Sequence, residues 1–269
     1  MNAPADGLPS RAALPTISSR ANPLLLQLRK LMRDPAAYRK AGVLWLEGDH
    51  LCRAYLARGG CARHALLAGS AADDHALLAL AQAGAERSSI VADALFAELS
   101  TLESPARIGF VVDAPPAPEL DPVAASVVLD RLQDAGNVGS ILRSAAALGV
   151  TQVIALQGTA ALWSPKVLRA GMGAHFALRL LDAADPAVLD ALRVPLVATS
   201  SHATQTLPAA ALPSPCAWVF GHEGRGIADA LLARCALTLR IPQPGGEESL
   251  NVAAAAAVCL YESARQAAH

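Results

Sequence analysis

Residues 129–149 read LDRLQDAGNVGSILRSAAALG. They decide the fold. The apolar run Val127–Leu129 that leads into this stretch has the length of a buried strand. The Gly-Asn-Val-Gly stretch at 136–139 then turns the chain into a helix that runs to Gly149. Asn137 stands at the start of that helix. Arg143, six residues on, is expected near the same face after almost two turns. Downstream the alternation continues. TQVIAL (151–156), HFALRLL (175–181), VPLVATS (194–200), AWVFG (217–221) and LTLRI (237–241) read as strands. Between and after them SPKVLRAGMG (164–173), DPAVLDALR (185–193), GIADALLARC (226–235) and residues 249–269 read as helices, the first of them as a helix or turn. Such alternation predicts an α/β fold around a mostly parallel sheet covered on both faces. Ligands of these sheets bind beyond the carboxyl ends of the strands, which directs attention to the loops there.

Upstream, NPLLLQLRKLMRD (22–34) has the cap and first-turn proline of an amphipathic helix. Short apolar runs at 43–48, 63–69, 88–91 and 107–113 alternate with helical ones at 49–60, 73–84 and 93–99. Residues 22–113 are therefore expected to form a smaller α/β domain. DAPPAPELDP (113–122) carries four prolines in ten residues, the composition of a semi-rigid spacer. The expected organisation is a flexible tail at 1–21, a domain at 22–113, a linker at 114–122 and a second domain at 123–269.

Composition narrows the function. With 53% hydrophobic and 17% charged residues and a mean hydropathy of +0.34, the chain is not disordered. Its longest apolar run, Val252–Tyr261, is half the length of a membrane helix. The first twenty residues lack the apolar core of a signal peptide, so a soluble, cytoplasmic protein is expected. Net charge is −1, yet Arg20–Arg63 holds nine basic residues against three acidic ones. That local excess, including Arg29, Lys30, Arg39 and Lys40, reads either as a phosphate-contacting face or as a solvated helix surface. Five cysteines without a CxxC pair argue against a disulfide scaffold or a zinc ribbon. His50, Cys52, Cys61 and His64 do not have the spacing zinc prefers, so no metal is expected.

Three strand-end loops carry residues that chemistry can use. The first holds Asn137 and Arg143. The second, VFGHEGRGI (219–227), has glycines at 221, 224 and 226 around Glu223, which suits either close approach to a ligand or a tight turn. The third, RIPQPGGEESLNVAAAAA (240–257), sets Ser249 and Asn251 around the first turn of a helix. Ser249 reads as a helix cap or as a site residue. No GxGxxG, GxxxxGK[ST] or GxSxG occurs, which leaves nucleotide-dependent oxidoreductases, P-loop enzymes and α/β-hydrolases without their fingerprints.

In order and spacing, NVGSILRSAAALG, VFGHEGRGI and LRIPQPGGEESLNVAAAAAVCLYE resemble the three motifs of the SpoU (TrmH) family of RNA ribose 2′-O-methyltransferases, of the SPOUT class. The resemblance covers residues 125–265, and SPKVLRAGMGAHF is also similar. AYRKAGVLWLEGDHL resembles the family's substrate-binding domain, chiefly through Arg39, Lys40, Glu47 and Gly48. The resemblance implies a deep trefoil knot in the carboxyl-terminal domain, a homodimer, and S-adenosyl-L-methionine as cofactor. Contacts to it are implied for Thr199, Ser200, Gly221, Glu223, Gly226, Ile241, Leu250 and Asn251. Catalytic roles are implied for Asn137, Arg143, Glu223, Ser249 and Asn251, and RNA contacts for Arg29, Lys30, Arg39, Lys40 and Arg143. The implied substrate is RNA, with a guanosine of large-subunit ribosomal RNA favoured. A transfer-RNA target, or a silent RNA-binding protein that keeps the fold, is the alternative.

Overall fold

The computed structural model describes residues 14–245 and 250–268. Residues 1–13 of the expected tail and Ser249 lie outside them. The chain divides into two compact units. One runs to Pro115 and includes Trp163–Pro165, and the other holds Pro116–Leu162 and the residues from Lys166 onward.

The first unit contains β1 (Thr16–Ile17), α1 (Pro23–Arg33), α2 (Tyr38–Ala41), β2 (Val43–Glu47), α3 (Asp49–Leu56), β3 (His64–Ala68), α4 (His75–Gly84), β4 (Ser88–Val91), α5 (Asp93–Ala97) and β5 (Ile108–Asp113). Its sheet runs β1-β4-β3-β5-β2. β1, β4 and β3 are parallel, while β5 lies antiparallel to both β3 and β2. Asn22 starts α1 by accepting the Leu24 N–H at 3.0 Å, with Pro23 in the first turn. Trp45 anchors the core, its indole N–H donating to the Leu99 carbonyl at 3.0 Å and its ring meeting Phe96 edge-on. The expected tail is corrected here. Thr16–Ile17 pairs with Ile90–Val91 at the sheet edge, because backbone left unpaired there finds a partner in β4.

The second unit contains β6 (Ser126–Asp130), α6 (Ala135–Ala147), β7 (Gln152–Leu156), α7 (Pro165–Gly171), β8 (Arg179–Ala184), β9 (Leu196–Thr199), β10 (Ala217–Gly221), α8 (Asp229–Leu232), β11 (Leu237–Leu239) and α9 (Val252–Ala267). The six strands run β11-β9-β10-β6-β7-β8, and every neighbouring pair is parallel. β6, β7 and β10 are buried nearly throughout, as strands covered on both faces must be. From β6 the chain first builds outward through β7 and β8. It then crosses to the other side and lays down β9, β10 and β11. The order therefore reverses between β6 and β10.

Two further expectations change. The strand expected at 175–181 begins only at Arg179, because Ala174–Ala177 forms a 3-10 turn pinned by the buried His175, whose Nε2 bonds the Leu162 carbonyl at 2.9 Å. The helix expected at 185–193 is likewise a 3-10 turn, Pro186–Ala191, too short to propagate α-helical bonds. Residues 119–122 are bonded to the second unit. Asp121 exchanges hydrogen bonds with the Gln152 amide at 2.8 and 3.0 Å, and the Pro122 carbonyl accepts from Arg193 at 2.8 Å. Among the described residues no helix is long and apolar enough to cross a membrane.

Candidate active site

β6 and β10 are neighbours in register, with Asp130 opposite Gly221 at their carboxyl ends. This is the reversal point of the sheet, where open parallel sheets take their ligands. The loops that follow the two strands lie against each other there, and α9 packs on α6.

Asp134 starts α6 by accepting the Asn137 N–H at 2.7 Å. Asn137 thus sits in the first turn with its side chain turned to the neighbouring loop. Its Nδ2 donates to Glu223 Oε1 at 3.2 Å, and its Oδ1 accepts from Asn251 Nδ2 at 3.0 Å. The Asn251 Oδ1 in turn accepts the Ala253 and Ala254 N–H groups at 2.9 and 3.3 Å. Both amides are thereby fixed in one orientation, along a chain of bonds that runs from the amino end of α9 to a carboxylate. The cap of this helix is Asn251, and that residue is exposed.

Glu223 ends that chain. Its oxygens also accept the Gln133 and Asp134 N–H groups at 3.3 and 3.1 Å. Partial burial alone would raise its pKa. The hydrogen bonds it accepts outweigh that effect and hold the carboxyl below its ordinary value. The loop around it is a tight turn. His222 and Gly226 exchange backbone bonds at 2.8 and 3.1 Å, with Gly226 left-handed at φ 66°. Gly221 has no room for a β-carbon, which would fall on the backbone of Gly226 and Ile227. Asp130, which the motifs did not single out, is buried under this loop and accepts the Ala228 N–H at 2.7 Å. An acid at the end of an otherwise apolar strand is the sequence signal that marks it.

The other residues fall along the same edge of the sheet. Thr199 ends β9 opposite Leu239 of β11, Ser200 follows it, and Ile241 lies just past β11; all three are half-buried. Leu250, next to Asn251, is 42% exposed, unusual for a leucine. Arg143 is exposed on α6, and its side chain has no hydrogen bond or ion pair among the described residues. Six helical residues turn through about 600°, so Arg143 lies about a third of a turn from Asn137. The expected shared face is corrected by that arithmetic.

Of the basic residues in the first unit, Lys30, Arg39 and Lys40 are exposed. Arg29 is not. It is buried, paired with Glu98 at 2.6 Å and bonded to the Arg20 carbonyl at 2.7 Å. Its charge is used inside the unit, which removes it from the candidate RNA contacts. Among the described residues no cluster of three or more His, Cys, Asp or Glu could hold a metal ion.

Comparison with known proteins adds the family. The model of the SpoU rRNA Methylase family matches residues 124–261. A Synechocystis sp. protein described as an uncharacterized tRNA/rRNA methyltransferase is 33% identical over 96% of both chains. The 23S rRNA (guanosine(2553)-2′-O)-methyltransferase RlmP of Bacillus subtilis is 31% identical over 82% of this chain and 88% of its own. The solved structure of the SpoU methyltransferase AviRb from Streptomyces viridochromogenes, in complex with AdoMet, superposes with a TM-score of 0.83 at 27% identity. It covers 92% of this chain and 98% of that one. The alternating strands, the three converging loops and these likenesses agree: the chain belongs to the SpoU rRNA methylase family.

Proposed function

We propose that this protein methylates a ribose 2′-hydroxyl of RNA with S-adenosyl-L-methionine, and that its target is a guanosine of large-subunit ribosomal RNA. One observation carries the reading. Three loops far apart in sequence meet at the reversal point of the sheet, and α6, which starts there, carries the exposed Arg143. RlmP of Bacillus subtilis, a relative over most of the chain, supplies the target class by its name.

The residues at the sheet edge fit the cofactor. Ile241 and the exposed Leu250 offer apolar surface to an adenine, and Thr199 and Ser200 offer hydroxyls. Gly221 and Gly226 leave the backbone of the second loop without a β-carbon at those two positions. When bound, the cofactor supplies a methyl already activated by a sulfonium. The chain must then align the hydroxyl in line and help its proton leave. Arginine stays protonated in proteins. Arg143 therefore clamps the phosphate beside the target and polarises the hydroxyl, while the phosphate or water takes the proton. Asn137 and Glu223 spend their polar atoms on each other and on the loops, so they hold the site rather than act on the hydroxyl. Asn251 fixes the start of α9, and Ser249 is assigned to the ribose.

In this reading the first unit supplies RNA affinity through Lys30, Arg39 and Lys40. Two copies pair through the second unit, whose chain carries the family's trefoil knot. The protein works in the cytoplasm, where ribosomal RNA is available to it. Support for pairing comes from α9, where Ala254, Val258 and Tyr261 form an exposed stripe at helical spacing.

The test pairs two variants. Arg143→Ala should keep S-adenosyl-L-methionine affinity and lose on the order of 10²–10³ in single-turnover methylation of ribosomal RNA, the usual cost of one electrostatic donor. Leu250→Asp should lose cofactor affinity in calorimetry. Parental methylation rates in Arg143→Ala would refute the assignment of the site.

A further inference from the structure

Asp130 ends β6, and its carboxylate has no access to bulk solvent worth the name: the residue is 4% exposed. Three N–H donors occupy it. Arg131 gives Nε and Nη2, each at 2.9 Å, and Ala228 gives its backbone N–H at 2.7 Å. The arginine neutralises a charge that burial alone would make costly. To do so it adopts φ 60°, a left-handed backbone that side chains disfavour. That conformation is held by Thr159, whose Oγ1 accepts the Arg131 N–H at 3.1 Å and donates to the Leu129 carbonyl at 3.0 Å.

Glu223 does the converse. It belongs to the loop after β10 and accepts backbone N–H groups of Gln133 and Asp134 from the loop after β6. Each loop therefore offers one carboxylate to the backbone of the other. A loop tied at one point can pivot about it. This one is tied near its start through Glu223 and at its far end through Ala228, with Gly224 and Gly226 between.

We propose that Asp130 is a positioning residue of the methyl-transfer site: with Glu223 it forms a reciprocal clasp that fixes the spacing of the two loops, and with it the backbone on which the cofactor lies. The proposal rests on the cofactor placement given above. Asp130 touches neither substrate nor cofactor and acts only through the loop.

The full chain with Asp130→Asn tests it, since the amide puts a donor where the carboxylate received one. Ala228→Pro is the second variant. Ala228 has φ −59°, which proline adopts, so the change deletes the one N–H that Asp130 takes from the loop. Amide exchange is followed by NMR without cofactor, followed by S-adenosyl-L-methionine affinity, kcat, and KM for ribosomal RNA. In both variants the Gln133 and Asp134 amides should exchange faster although their own acceptor, Glu223, is unchanged. Cofactor affinity should fall about tenfold, the worth of one hydrogen bond to a charged group. The KM for RNA should stay as in the parent. If exchange at Gln133 and Asp134 is unaltered and cofactor affinity is retained, the clasp is overturned and Asp130 serves the fold alone. A parent chain that binds no S-adenosyl-L-methionine overturns the proposed function instead, and the exchange rates still decide whether the loops are coupled.

Discussion

At Gly221 the chain leaves no space for even a methyl group, and the atoms in the way are backbone rather than flexible side chains. Gly221→Ala should therefore destabilise the protein by about 1–3 kcal/mol, the usual cost of overpacking. Urea unfolding reads this, and parental stability would show that the turn can yield. Asn137, Glu223 and Asn251 were legible as polar residues in loops otherwise built of small ones, and they prove to be bonded to one another. Asp130 was legible only as an acid that ends an apolar strand, not by its role. An aspartate at a strand end looks like any turn residue until its partner, Ala228, 98 positions away, is known. Arg29 misled for a similar reason. Its charge is visible in sequence, but its burial against Glu98 depends on a pairing between distant segments.

Elements differ in how far local sequence specifies them. The buried strands β6, β7 and β10 are short apolar runs and can be read directly. The turn at Ala174–Ala177 cannot, because it is fixed by one side chain. His175 is buried against Leu162, and burial lowers its pKa from 6.5 to about 4, with the hydrogen bond to the Leu162 carbonyl opposing in part. A base with a depressed pKa binds protons more readily when unfolded. Stability is thus fully present above about pH 6.5 and declines as pH falls toward 4. Denaturant unfolding at pH 7 and pH 5 should show that loss, and a folded His175→Asn variant should lack it. An equal slope in both proteins would assign the effect to other groups.

Across the whole molecule, alternation of strand and helix made an α/β chain legible, while strand order was not. In the first sheet β5 runs antiparallel to its neighbours. That choice is made by pairing partners far apart in the chain rather than by any local pattern. The surface of α9 is the feature with consequences at this scale. Val258 is 42% and Tyr261 60% exposed on one face of the helix, apolar surface on which a second copy could pack. Light scattering at micromolar concentration should give the mass of two copies, and Tyr261→Lys combined with Val258→Asp should give one. A monomeric parent protein would count decisively against pairing through this face.

The bond between Asn137 and Asn251 joins residues 114 positions apart. A ribosome making this chain releases α6 long before the residue that meets it exists. Contacts of such separation close slowly and late. The network of Asn137, Glu223 and Asn251 can close only after residue 251 has been made.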